Sequence, residues 1–201
     1  MLTLYHAPQS RSSRMIWLLE EFEAEYEIRY VMIPRIDGSG APDPSNPHPD
    51  KKVPALVHDG ALVTESIAVA TYLNDLHPQS PIAVPVGDPR RGAFLTWLAW
   101  YAGVVEPVLA FTWMGIAETE ATRRNFRGRA EIDARILKAL GEGDYLLGDR
   151  FTAPDVIFAS MGLWMRNLLP AGASVDRYLE SCRGRPALAR SEAKEAAPVA
   201  A

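Results

Sequence analysis

The residues between Lys52 and Ser66 carry the most legible chemistry in this chain. Pro54 has no N–H and drives Val53 into an extended conformation, leaving the main-chain groups of Val53 open to an extended peptide that adds as a strand. Ala55 to His58 is a short apolar run, Asp59-Gly60 is a two-residue turn signal, and Ala61 to Thr64 returns, so the stretch predicts a hairpin. Glu65-Ser66 then opens a helical pattern through Ile67, Val69, Ala70, Tyr72 and Leu73. The first N–H groups of a helix lack intrahelical partners, and its dipole favours an anion. Such a place suits a zwitterion: Glu65 takes an ammonium, while the Ser66 hydroxyl and amide take a carboxylate.

The elements that must position these groups follow from periodicity. Leu2 to His6 predicts a buried strand. Ser10 to Ser13 is a cluster of capping residues before a helix over about Arg14 to Ala24, and Tyr26 to Met32 is again β-rich. Pro34 to Pro54 is dense in Pro, Gly, Asp and Asn and predicts irregular structure, after which the hairpin and its helix run to about His77. Pro78, Pro81 and Pro85 mark a linker. Beyond it the pattern is helical: a long apolar segment over Arg90 to Gly115 bent at Gly103 and Pro107, an amphipathic helix over Thr122 to Leu140, another over Thr152 to Leu169, and shorter ones from Asp176 and after Pro186. The Ala-rich tail after Arg190 is expected to fray. The expected organisation is an α/β domain over 1–77, a linker over 78–89 and an all-α domain over 90–201.

Composition narrows the function classes. The 201 residues are 48% hydrophobic and 23% charged, enough for a real core. A net charge of −4 argues against nucleic acid or an anionic membrane as a general partner. No uninterrupted apolar run reaches roughly 18 residues, which argues against a membrane span, and the first residues do not form a secretory signal. The single cysteine, Cys182, excludes an internal disulfide or a CxxC pair. His6, His58 and His77 have no metal-ligand spacing, so no metal is expected. These traits predict a cytoplasmic protein.

HPDKKVPAL, then DG, then TES resembles the glutathione-binding half of the cytosolic glutathione transferases. The resemblance implies a thioredoxin-like N-terminal domain, an all-helical C-terminal domain, glutathione as co-substrate, a detoxifying role and a homodimer. It implies that Pro54 is cis, that Val53 pairs its main chain with the cysteinyl part of glutathione, and that Glu65 and Ser66 hold the γ-glutamyl end. For the glycyl carboxylate, Lys52 stands where the pattern HPxGKVP has its lysine. Lys51 replaces the glycine there, and Lys51 and His48 are further candidates.

Glutathione chemistry needs a thiolate, and a thiol of pKa about 8.5 is mostly protonated at neutral pH. A hydroxyl donor beside a helix N-terminus can lower that value. Ser10 is the first candidate. It falls where bacterial beta-class relatives place a cysteine, and it stands four residues before Arg14, as in an N-S-R-S-x-R-like segment. Ser12 is the alternative if the helix starts later, and Ser13 is a weaker fit. Tyr5 is the rival donor, although a tyrosine there is often packing. With no cysteine near residue 10, the chain is expected to be serine-type and to lack the nucleophile for mixed-disulfide chemistry. The acceptor site is expected between the domains, with Tyr101 and Trp113, or one of them, touching an apolar electrophile. The competing readings are a glutathione-dependent isomerase, dehalogenase or peroxidase, and a non-catalytic binding or assembly module.

Phe151-Thr152-Ala153-Pro154-Asp155-Val156 is a folding signal. Thr152 and Asp155 have capping-box spacing, Phe151 and Val156 occupy the staple positions, and Pro154 sits in the first turn where its missing N–H does no harm.

Overall fold

The computed structural model describes residues 1–196, arranged in two compact units. The first runs from Met1 to Ser80 and also takes in the segment from Arg185 onward; the second is Pro81–Gly184. The first boundary falls inside the expected linker. The C-terminal segment, expected to continue the helical domain to 201, belongs instead with the N-terminal unit.

In the first unit, β1 (Leu2–His6), α1 (Ser13–Glu21) and β2 (Tyr26–Tyr30) make a parallel crossover. β3 (Ala55–His58) and β4 (Ala61–Thr64) form the hairpin, giving sheet order β2-β1-β3-β4 with β3 antiparallel to both neighbours. Asp59 and Gly60 have φ of 48° and 86°, the doubly positive geometry that a tight hairpin turn requires and that glycine adopts without strain. Leu4 and Leu56 are cross-strand partners and both are fully buried. Residues between β2 and β3 form no regular element, as their composition predicts. α2 (Ser66–Leu76) follows β4 and packs against α1.

α9 (Pro186–Glu192) lies along α1, burying Ala187 and Leu188. Arg185 makes a two-pronged ion pair with Glu21 at 2.5 and 2.6 Å, and Arg190 bonds Glu20 at 2.8 Å. The expected fraying after Arg190 does not occur over the described residues. Lys194 Nζ reaches Glu20 at 2.5 Å, and its carbonyl accepts from the Tyr30 hydroxyl at 3.0 Å. These charge-assisted bonds hold the segment where composition alone suggests none.

The second unit is helical. α3 (Arg91–Trp100) passes through a π-helical turn, Tyr101–Val105, into α4 (Glu106–Trp113). Pro107 has no N–H to donate to the Gly103 carbonyl, so the run loosens by one turn and continues. It is 23 residues long and contains an 18-residue window of mean hydropathy 1.4, long and apolar enough to cross a membrane by length and composition, which a count of uninterrupted apolar residues does not register. Phe94, Trp97, Leu98, Tyr101 and Val105 of this run are core residues.

The helix expected over 122–140 is two helices, α5 (Glu120–Phe126) and α6 (Arg129–Glu142). Arg127 takes a positive φ of 77°, and the extended Gly128 donates its amide to Glu131 at 3.1 Å, starting the chain afresh. α7 (Ala153–Trp164) stops short of Leu169; an extended Met165 and a 3-10 turn, Arg166–Leu168, follow. α8 (Ala173–Arg183) completes the unit. Asp155 is wholly buried at the start of α7 and accepts from the amides of Thr152 at 2.8 Å and Leu146 at 2.9 Å. Burial pushes its carboxyl up to about 6, against the pull of those donors.

Candidate functional site

Strand register brings the predicted groups to one end of the sheet. Tyr5 faces Ala55 across β1 and β3, and Ala55 faces Thr64 across β3 and β4. The exit of β1 (Ala7 to Ser12), the entry to β3 (Val53-Pro54) and the exit of β4 (Glu65-Ser66) therefore emerge side by side. Two strand spacings separate the outer pair, about 10 Å.

The Val53-Pro54 peptide bond is cis, as the resemblance implies. The sheet ladder begins at Ala55, and no hydrogen bond to a described residue engages the main chain of Val53. Glu65 has φ of 69° at the entry to α2, and Ser66 is the first helical residue. Neither side chain bonds another described residue; Glu65 is exposed and Ser66 half-buried. These are open polar groups at a helix N-terminus.

Of the three candidates for a carboxylate, two are used by the loop itself. Lys51 Nζ donates to the Asn46 carbonyl at 2.7 Å, and the buried His48 accepts from the Asp50 amide at 3.0 Å. Asn46, which sequence reasoning passed over, also donates to the Lys52 carbonyl at 3.0 Å and so shapes the approach to Val53. The Lys52 side chain is exposed.

The serine turn is more crowded than its capping pattern suggests. Ser12 occupies the N-cap position but has helical backbone angles and caps nothing with its side chain. Its Oγ lies fully buried, 2.8 Å from His6 Nδ1, and accepts from the Ala7 amide at 3.2 Å. Ser13 Oγ donates to Glu195 at 2.8 Å, and the Gln9 amide donates to the same carboxylate oxygen at 2.5 Å. Ser10 Oγ is half-buried, with the Ala7 carbonyl and Ser12 Oγ each at 2.7 Å. Tyr5, inside β1, accepts from Arg29 at 3.4 Å, with that guanidinium 5.9 Å from its ring centre.

Three participants were given no role at this turn from the sequence. His6 looked like a scattered histidine and Glu195 part of a loose tail; only tertiary structure brings them to the turn. Arg35, in the irregular segment, donates to the Pro8 carbonyl at 2.7 Å and sets a cation beside the same turn.

In the helical unit Tyr101 is 2% exposed, its ring edge-on to Phe158 and its hydroxyl 3.3 Å from Glu106. It is core, and of the expected pair only Trp113, at 59%, is open to a small molecule. Val108, Phe111, Gly115, Ile116 and Arg127 line a groove of about 320 Å³ whose lining does not include Trp113. Among the described residues no three His, Cys, Asp or Glu side chains gather as a metal site.

Residues 1–75 match the family described as Glutathione S-transferase, N-terminal domain. Glutathione S-transferase 3 of Schizosaccharomyces pombe is 38% identical over 73 residues, 36% of this chain and 29% of that protein. This match therefore spans less than a third of that relative's length. The Escherichia coli protein named Disulfide-bond oxidoreductase YfcG is 25% identical over 202 residues, covering 93% of this chain and 92% of that one. The crystal structure of a glutathione transferase from Methylococcus capsulatus superposes with a TM-score of 0.77 at 26% identity, over 97% of this chain and 98% of that one. With the cis-proline hairpin, the Glu-Ser helix start and the helical second unit, these likenesses show that residues 1–75 are a glutathione S-transferase N-terminal domain and that the chain has the fold of the glutathione transferases.

Proposed function

We propose that this protein is a serine-type glutathione transferase that activates the glutathione thiol for attack on a small, apolar electrophile. The observation that carries the reading is the register: three sets of polar groups emerge at adjacent strand ends across about 10 Å. In an extended glutathione the stretch from the γ-glutamyl end to the cysteine sulfur spans about that distance. Glu65 and Ser66 take the γ-glutamyl zwitterion, the main chain of Val53 pairs with the cysteinyl residue, and Lys52 meets the glycyl carboxylate.

Ser10 is the proposed thiol donor. Ser12 is turned into the interior and Ser13 is engaged by Glu195, while Tyr5 holds Arg29. Activation is by hydrogen bonding to the developing thiolate, which needs no covalent enzyme intermediate. Trp113 contributes to holding the electrophile. The reaction belongs in the cytoplasm, where thiols stay reduced, and the active form is a homodimer.

A second reading has one specific support, the likeness to a disulfide-bond oxidoreductase along nearly the whole chain. Cys182 is buried, so reducing a disulfide here would draw both electrons from two glutathione molecules, leaving glutathione disulfide and two product thiols. Retention on immobilised glutathione with conjugation of a chromogenic aryl halide supports the first reading. Binding without conjugation, together with reduction of a model disulfide, replaces it with the second. Absence of calorimetric heat with millimolar glutathione at several temperatures overturns both.

A further inference from the structure

A hydroxyl that hydrogen-bonds a thiolate is not a base, so the thiol proton needs a destination. The turn contains one. His6 Nε2 lies 2.9 Å from the main-chain carbonyl oxygen of Glu195. A carbonyl oxygen only accepts, so Nε2 carries the ring proton and Nδ1 is a bare acceptor. Ser12 Oγ, 2.8 Å away, then donates its proton to Nδ1. With that proton committed, Ser12 faces Ser10 Oγ at 2.7 Å as an acceptor. The hydroxyls can thus line up in one direction, from Ser10 through Ser12 to the ring. Ser12 and His6 are fully buried, so the inner part of this line is closed to water.

We propose that Ser10, Ser12 and His6 form a proton relay that carries the glutathione thiol proton inward to His6 Nδ1, with the tail residue Glu195 holding the histidine ready to accept it. The step balances. The S–H proton passes to Ser10 Oγ, the Ser10 proton passes to Ser12, and the Ser12 proton passes to Nδ1. Neutral thiol and neutral imidazole become thiolate and imidazolium. Every hydroxyl in the line ends reversed, so Ser10 now donates to the sulfur and is polarised by the cation behind it. The relay thereby makes both the thiolate and its donor in one movement. His6 touches no substrate and acts through Ser12 and Ser10, which makes it a positioning residue.

The surroundings suit the task. Burial lowers the His6 pKa, while the Glu195 carbonyl and carboxylate oppose that shift, so the ring rests neutral. A Glu195 carboxylate oxygen 3.9 Å from Nε2 is placed to stabilise the imidazolium. Among the described residues the other titratable group facing the ring is Tyr30 on β2, edge-on with ring centres 5.7 Å apart. Nearby Lys194 has its ammonium on Glu20.

The inference rests on Ser10 being the thiol donor, and the test separates the two. The ultraviolet absorbance of enzyme-bound thiolate is titrated against pH in the wild type, Ser10→Ala, Ser12→Ala, His6→Leu and His6→Asn. Ser12→Ala and His6→Leu are expected to raise the bound thiol pKa by about one unit or more, toward the free value near 8.5. They should lower kcat about tenfold at neutral pH, with the glutathione KM within about twofold. Rates should converge with the wild type at alkaline pH, where solvent removes the proton; a merely structural loss would not recover there. His6→Asn keeps an amide oxygen for Ser12 to donate to but no base, so its thiol should titrate as in His6→Leu.

If Ser10→Ala raises the thiol pKa while Ser12→Ala and His6→Leu do not, the relay is wrong and the donor assignment stands. If Ser10→Ala also leaves it unchanged, the donor assignment falls and the relay with it. Should the variants not fold, ¹⁵N-histidine spectra of the wild type decide the matter. Glutathione should convert His6 from the Nε2–H tautomer to imidazolium, and an unchanged tautomer overturns the relay.

Discussion

Four hydroxyls stand within nine residues at the end of β1, and their hydrogen bonds separate them better than their spacing does. A donor for sulfur must have a proton that an arriving anion can claim. Ser10 has one, shared in the resting chain between two neutral oxygens, the Ala7 carbonyl and Ser12 Oγ. A thiolate is the stronger acceptor because it is charged. Ser10→Ala should therefore lower kcat by about 10²-fold, the scale of losing one donor to a developing anion. Its glutathione KM should change little in steady-state assays. Ser66→Ala should do the reverse. It removes a hydrogen bond to a charged group, worth about 1.5–3 kcal/mol, and leaves the sulfur untouched. Calorimetry should show glutathione affinity reduced by about 10- to 100-fold. Equal losses of kcat in the two variants would contradict this division of labour.

At the scale of elements, Asp155 is the clearest case of a sequence signal whose energy depends on burial. Its carboxyl rises to about 6 inside the start of α7, against about 3.9 in an unfolded chain. Between those values the native state holds a proton that the unfolded state has lost. Stability from this group is thus complete below about pH 4 and falls as pH rises through about 6, by roughly 3 kcal/mol in all. Urea unfolding of the wild type and Asp155→Asn between pH 4 and 7 should show that slope only in the wild type. Thr152→Ala, which strips a hydroxyl from the same box, should cost about 1 kcal/mol at any pH in that range. Thr152 and Asp155 were readable because a helix start is a local event. The hairpin was readable for the same reason: Asp59-Gly60 and Val53-Pro54 set their geometry within a few residues. The break between α5 and α6 was missed because Ile132, Ile136 and Leu140 keep helical register, while Arg127 and Gly128 interrupt it only through backbone conformation. His6 was unreadable in another way. A lone histidine at a strand end has no pattern, and its partner Glu195 lies 189 residues away.

At the scale of the whole molecule, the N-terminal unit is completed by the other end of the chain. Glu20 and Glu21 are each only 8% exposed, and their cations come from Arg185, Arg190 and Lys194. Burial alone would raise Glu20, but hydrogen bonds from Lys194, Tyr26 and Arg190 outweigh it and hold the carboxyl at about 2. Because that value lies below the unfolded one, the stabilisation is present above about pH 4.5 and is lost as pH falls toward 2. Removing the partners of a buried charge costs about 3–5 kcal/mol, a large part of a domain's total. A chain ending at Gly184 should therefore lose the cooperative unfolding of its first unit, seen as an early transition in urea. A chain ending at Glu192 makes a finer cut. It keeps α9, Arg185 and Arg190, and so should keep that transition within about 2 kcal/mol of the wild type. It also removes Lys194 and Glu195, which frees His6 Nε2 and lets the ring choose either tautomer. That shorter tail should bind glutathione on an affinity matrix yet form thiolate poorly at neutral pH. The pairing of intact folding with weakened thiol ionisation would separate what the tail does for stability from what it does for the turn.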